Sequence, residues 1–160
     1  MSLKRRYRLR RKELKQLARE VGEKFGENIG KLVDEGAEIL KLESGREVVL
    51  AGDRAILFRT LEGLFPVLTA ADLIPLRRVV VDMGAVPHVA NGADIMGPGV
   101  VSAEQDIKTG ETVIVTDERH GKPLAIGLAL RPGTEMKAGG KVVKNLHHVG
   151  DEVWRMLRKG

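Results

Sequence analysis

The chain has 160 residues, 42% of them hydrophobic and 31% charged, with a net charge of +5 and a pI near 9.6. It contains no cysteine, which excludes disulfides and thiolate metal sites, and no apolar run approaches a membrane span. The size suits one ordinary domain or two small ones, and the basic balance favours polyanionic partners, nucleic acid before an acidic membrane. The basic N-terminus is not followed by the apolar segment of a secretory signal, and the lack of cysteine fits a reducing, cytoplasmic setting.

Seven of the first twelve residues are basic: Lys4, Arg5, Arg6, Arg8, Arg10, Arg11 and Lys12. So dense a block of like charge resists packing, which predicts either a solvated terminus or an arm on a nucleic-acid backbone. Leu14, Leu17, Ala18, Val21 and Phe25 follow at helical spacing, and Gly26 closes that helix. Ile29, Leu32 and Val33 predict a second short helix ending near Gly36. Three strands come next, over 37–43, 47–50 and 54–59, separated by Ser44-Gly45-Arg46 and Gly52-Asp53 turns. They predict an antiparallel meander against the helices. Thr69 suits a cap over a short turn at 70–73, and Pro75 marks a domain boundary.

Beyond Pro75 the chain reads as short strands with one small helix. Strands are predicted over 77–81, 95–96, 100–101, 112–116, 124–130 and 142–147, and a helix over 85–91 with Pro87 in its first turn. Ile95 and Met96 read as core. Between the strands at 95–96 and 100–101, Gly97-Pro98-Gly99 forces a sharp bend. A barrel corner would use such a bend, and so would a backbone that phosphate or ribose approaches closely. Five or six short strands suggest a small barrel.

Gly92-Ala93-Asp94-Ile95-Met96-Gly97-Pro98-Gly99-Val100 resembles the G-A-x-[IL]-M-x-P-G-[VI] signature of the PUA domain, an RNA-binding fold. Gly121-Lys122-Pro123-Leu124-Ala125-Ile126-Gly127 is similar to the G-x-P-x-A-x-G strand of that family. The resemblance runs from about Leu76 to Trp154. Asn145-Leu146-His147-His148 with Asp151-Glu152-Val153-Trp154 looks like the closing strand and tail of one branch. That branch is the archaeal single-PUA proteins, related to the malignant T-cell-amplified sequence protein and ligatin, which act in translation. Phe65-Pro66-Val67-Leu68 resembles the F-P-T-L region ahead of the domain in that branch, with Val67 in place of Thr.

The fold this implies is an α+β N-terminal domain over 1–75, with the basic arm, followed by a mostly β PUA-like small barrel over 76–160. In the resembled family RNA lies across the small helix, the bend and the last strand. Carried over by position, the RNA-facing set is Gly92, Ala93, Asp94, Gly97, Pro98, Gly99 and Val100, with Lys144, Asn145 and His147 on or near the last strand. Arg77 and Arg78 add phosphate contacts from the first strand of the barrel. Trp154 reads as a plug on the barrel.

No H-E-x-x-H, G-x-S-x-G or Walker A run occurs, and no carboxylate pair has a spacing that marks acid–base work. His147 and His148 alternate across a strand and do not share a metal, so no cofactor is expected. Aromatic residues are 3% of the chain, which disfavours a base-stacking platform and leaves backbone shape, phosphates and RNA ends as the means of recognition. The expected function is a non-catalytic protein that binds tRNA or small-subunit rRNA in translation initiation or recycling. Its expected partners are the small ribosomal subunit and a second protein chain, with no membrane. Two alternatives stand: an accessory subunit that positions RNA for a separate modification enzyme, and a protein-interaction module whose basic arm only aids solubility.

Overall fold

A computed structural model describes residues 3–159, with the side chains of residues 158 and 159 excepted. The chain forms two compact units: one runs up to Ile74 and takes in the segment from Arg155, and the other is Pro75–Trp154.

The first unit is a five-stranded antiparallel sheet against a helical hairpin. Its strands, β1 (Leu3–Arg8), β2 (Ala37–Leu42), β3 (Glu47–Ala51), β4 (Arg54–Thr60) and β5 (Gly63–Pro66), lie in that order across the sheet. The helices are α1 (Arg11–Phe25) and α2 (Glu27–Asp34). Leu17 and Val21 on α1, and Ile29 and Val33 on α2, meet Ala37, Ile39, Val49, Ile56 and Leu57 in one buried cluster. The helices approach so closely that a Cβ on Gly30 would lie 2.9 Å from both the Ala18 carbonyl oxygen and the Gly22 Cα.

The basic block is not a free arm. Its described part is strand β1 and the start of α1, and residues 1 and 2 lie outside the described residues. Charge repulsion between exposed side chains is weak in water, about 1 kcal/mol at 4 Å, and alternation gives each residue a place. Tyr7 and Leu9 turn onto the helix-facing cluster, while Arg6 makes a two-pronged pair with Glu38 at 2.8 and 3.1 Å. Arg5 lies over the Tyr7 ring, 4.3 Å from its centroid. The segment at Gly63–Pro66 also joins the sheet, as β5, so the expected three-stranded meander has two further strands. The expected turn at 70–73 begins earlier, as a 3-10 turn over Leu68–Ala70.

The second unit is a six-stranded sheet curled almost into a barrel. Its strands are β6 (Arg77–Val81), β7 (Ile95–Met96), β8 (Val100–Ala103), β9 (Thr112–Asp117), β10 (Pro123–Ala129) and β11 (Lys141–His148), with α3 (Val86–Ala90) between β6 and β7. The order across the sheet is β7-β11-β10-β9-β6-β8. Only β6 and β9 run parallel; the other neighbours are antiparallel. The two edge strands, β7 and β8, are consecutive in the chain and joined by Gly97–Gly99 alone, which nearly closes the barrel. Val79, Val81, Val113, Val115, Ala125, Val142 and Val143 fill its inside. The segment expected to be a tail is instead a helix, α4 (Glu152–Lys159), and the half-buried Trp154 lies on it.

The helix hairpin generates a test. Gly30→Ala should destabilise the protein by about 1–3 kcal/mol, the usual cost of overpacking, because the added methyl meets backbone that has no rotamer to yield. Chemical denaturation monitored by circular dichroism reads this. An unchanged midpoint would show that the hairpin is looser than its geometry.

Candidate nucleic-acid interface

The bend and the last strand are held together by a small set of polar contacts. Asp82 begins the stretch: its Oδ1 accepts the Ala85 N–H at 2.8 Å and starts the turn into α3. After α3 the chain reverses through Gly92, whose φ of 93° favours glycine and whose missing Cβ leaves room for the His148 ring. Asn145 on β11 then pins this loop to the barrel. Its side-chain amide donates to the carbonyls of Val89 at 3.1 Å and Ala93 at 3.0 Å, and its backbone N–H donates to Asp94 Oδ1 at 2.9 Å. The second Asp94 oxygen pairs with Lys141 at 3.2 Å.

Gly97 is the tightest point. Its N–H donates to the Gly140 carbonyl at 2.9 Å, and an added Cβ would lie inside the van der Waals shell of the Ala138 carbonyl. Gly97 is therefore buried and its amide is spent within the fold. Gly99 accepts the Asp82 N–H through its carbonyl at 2.9 Å. Pro98 between them is exposed, and Val100 is buried. This bend is primarily a corner that closes the barrel.

His147 corrects the sequence reading more sharply. It has no exposed surface, and its Nδ1 lies 3.0 Å from both oxygens of Asp151. An ionised carboxylate only accepts, so Nδ1 carries the proton. The same carboxylate accepts the N–H groups of His148 at 2.9 Å and Trp154 at 2.8 Å, and so caps the start of α4. Burial alone would raise the Asp151 pKa, but the His147 hydrogen bond and charge, with the two backbone donors, bring it down to about 2. His147 thus belongs to the scaffold and has no surface for RNA.

Arg77 and Arg78 are also apart from the bend. They open β6, whereas Asp82 and Gly99 lie beyond its other end, roughly 13 Å along the strand at the usual rise. Arg77 is engaged by Asp106 at 2.9 Å and Glu111 at 3.9 Å. Lys144 is exposed on β11.

What the fold does bring together is a cleft between α3 and β7. Ala85, Val89, Ala93, Ile95 and Gly99 line it, together with His88, Met96 and the Asp94–Lys141 ion pair. Met96, expected in the core, is 46% exposed. A two-residue strand at the sheet edge turns alternate side chains to opposite sides, so Ile95 goes in and Met96 out. The sequence pattern held too few residues to show that alternation. His88 and Lys141 are not in the sequence-derived set, since each is a lone polar residue that becomes a neighbour of the cleft only in three dimensions. Among the described residues no group of three or more His, Asp or Glu side chains is placed to hold a metal ion, and no helix is long and apolar enough to cross a membrane.

Comparison with known proteins agrees with this architecture. Residues 77–149 match the PUA domain. An uncharacterized protein of Methanocaldococcus jannaschii is 37% identical over 96% of this chain and 98% of its own. Translation machinery-associated protein 20 of Saccharomyces cerevisiae is 30% identical over 73% of this chain and 70% of its own. The chain belongs to the PUA-domain family of translation machinery-associated protein 20 and the malignant T-cell-amplified sequence proteins. A crystal structure of a hypothetical protein from Pyrococcus horikoshii has a TM-score of 0.76 and 36% identity, covering 96% of this chain and 99% of the other. The likeness to this solved structure therefore extends over both units.

The Asp151 carboxylate predicts an acid-sensitive fold. A depressed folded pKa contributes stability that is present above the ordinary value near 3.8 and is lost as pH falls toward about 2. The span corresponds to about 2 kcal/mol for a group this buried. Asp151→Asn should lower stability at pH 7 and flatten its dependence on pH between 4 and 2, read by denaturant midpoints across that range. An equally steep profile in the variant would place the acid-labile group elsewhere.

Proposed function

We propose that the protein is a non-catalytic RNA-binding protein of translation, and that the cleft between α3 and β7 receives part of a tRNA or a small-subunit rRNA. The observation that carries this reading is the similarity to translation machinery-associated protein 20 over 70% of that protein's length, alongside the match to the PUA domain. The cleft supports it chemically. An apolar lining of Ala93 and Ile95, bordered by the His88 imidazole and by Lys141, whose ammonium is shared with Asp94 at 3.2 Å, suits an unstacked base. Recognition of this kind does not need the exposed aromatics in which the chain is poor. Ala93, an exposed member of the sequence-derived set, lines the same cleft. Gly92, Gly97, Gly99, Val100, Asp94 and Asn145 act in this reading by holding the corner and the loop in place. The working site is cytoplasmic, with the small ribosomal subunit and a second protein chain as partners.

His88→Glu with Met96→Glu tests this directly, because both side chains are exposed and neither holds the fold. Total tRNA, followed by fluorescence anisotropy at fixed salt, should bind the double variant at least ten times more weakly, a loss of about 1.4 kcal/mol. The thermal midpoint should not move. Wild-type affinity in a folded double variant would remove the cleft from the interface, and absence of tRNA or rRNA binding by the wild type would remove the reading itself.

A further inference from the structure

The positive charge of this protein is not where its PUA domain is. Residues 4–19 hold nine of the 27 basic side chains and one of the 22 acids. The rest of the chain therefore has eighteen cations against twenty-one acids. The unit Pro75–Trp154 has nine cations against ten acids, so the unit that matches an RNA-binding domain is close to neutral. The net positive charge that attracts a polyanion at long range therefore lies in the first unit.

The structure shows how that segment is arranged. It is an ordered strand and helix, β1 and the first half of α1. The buried side of α1 is Leu14, Leu17, Ala18, Val21 and Phe25. The opposite side is Lys12, Lys15 and Arg19, flanked by Arg11, all exposed. Steps of three and four residues set these three cations about 4.5 and 6 Å apart along the helix axis, in one row. The neighbouring acids are already in use. Glu13 accepts the Arg10 N–H at the helix start, at 3.2 Å. Glu20 is taken by Arg59 at 2.7 Å and Lys24 at 3.6 Å, and the Arg59 hydrogen bond, against some burial, lowers its pKa. Among the described residues no carboxylate pairs with Arg11, Lys12, Lys15 or Arg19. Glu23, Glu27 and Asp34 border one shallow groove with Arg19 where α2 folds back beside α1, so acids approach the row at its Arg19 end, while Arg11, Lys12 and Lys15 lie outside that groove.

We infer that the outer row of α1, Lys12, Lys15 and Arg19 with Arg11, is a second RNA-contacting surface that binds sugar–phosphate backbone and supplies most of the salt-dependent affinity. The inference rests on the reading of the ligand as RNA, but not on the location of the PUA cleft. A preformed row holds its cations in register without ordering a disordered segment, so less conformational entropy is lost on binding than for a mobile arm. Such a row contacts phosphates without reading sequence. It fixes affinity and orientation, and the choice of RNA rests with other residues.

The test is a salt titration of total tRNA with the full chain, comparing wild type, Lys12→Gln/Lys15→Gln/Arg19→Gln and a control with the same charge loss, Lys31→Gln/Lys108→Gln/Lys122→Gln. Glutamine keeps helix propensity and all six sites are exposed, so circular dichroism should be unchanged. Each phosphate contact contributes about 0.7–0.9 to the slope of log affinity against log salt, so the row variant should lose about 2 units of slope. The control should lose less than half of that. Equal losses in the two variants would show that net charge alone matters, and an unchanged slope in the row variant would remove α1 from the interface; both overturn the inference. Loss of binding to phosphatidylserine vesicles in the row variant, with its RNA slope intact, would assign the row to a lipid surface and overturn it as well. If wild type binds no tRNA or small-subunit rRNA, the proposed function fails first. If wild type binds and the row variant binds equally, only this inference fails.

Discussion

The barrel unit depends on where strand β11 directs its polar side chains. A strand that closes a barrel has one face inside, and polar groups there must find partners or leave a costly unpaired atom. Asn145 uses its side-chain N–H groups and its backbone N–H to fasten the loop after α3, while its buried Oδ1 finds no hydrogen-bond partner among the described residues. His147, two residues on and fully buried, is matched to Asp151, which at the same time caps α4. One short run thereby fixes the loop that borders the cleft, the ring behind Gly92 and the start of the last helix. Removing either partner of the buried pair would leave the other uncompensated, which is why the pair is better understood as a clamp than as a net source of stability.

Much of this architecture was legible in the sequence, and the exceptions have physical causes. The first helix followed from Leu14, Leu17, Val21 and Phe25, because apolar residues repeating every three to four positions line one face of a helix and would scatter over both faces of a strand. The bend at Gly97-Pro98-Gly99 was visible as chemistry, and the PUA signature around it was specific enough to be recognised. Strand β1 was hidden because dense charge outweighs a two-residue alternation in any composition-based reading; Tyr7, near its end, is its main inward apolar signal, and Leu9 lies just past it. Strand β5 was short and ended in proline. The role of His147 was not legible, since a histidine that contacts RNA and one that clamps a carboxylate look alike until burial is known.

Charge and fold are divided between the two units. Recognition surfaces built from a glycine-rich loop and a shallow cleft need close placement, and the barrel supplies it with polar side chains turned inward. Polyanion attraction needs only exposed cations, and α1 supplies them on the side its core contacts leave free. The net charge of +5 argues for a polyanion but points nowhere in particular, because a sum over the chain conceals a near-neutral barrel and a strongly basic first segment. Family membership points to translation, and the segregation of charge singles out α1 as the part of the chain suited to an RNA backbone.

The measurement that tests this account most directly is amide chemical-shift mapping of the full, 15N-labelled chain titrated with tRNA. The account predicts perturbations in two sets: residues 11–19 on α1, and His88, Ala93, Met96 and Lys141 around the cleft. The amides of His147 and Asp151 should remain where they are. Perturbations that leave both sets untouched and gather instead on β5 or around Arg77 and Asp106 would contradict it.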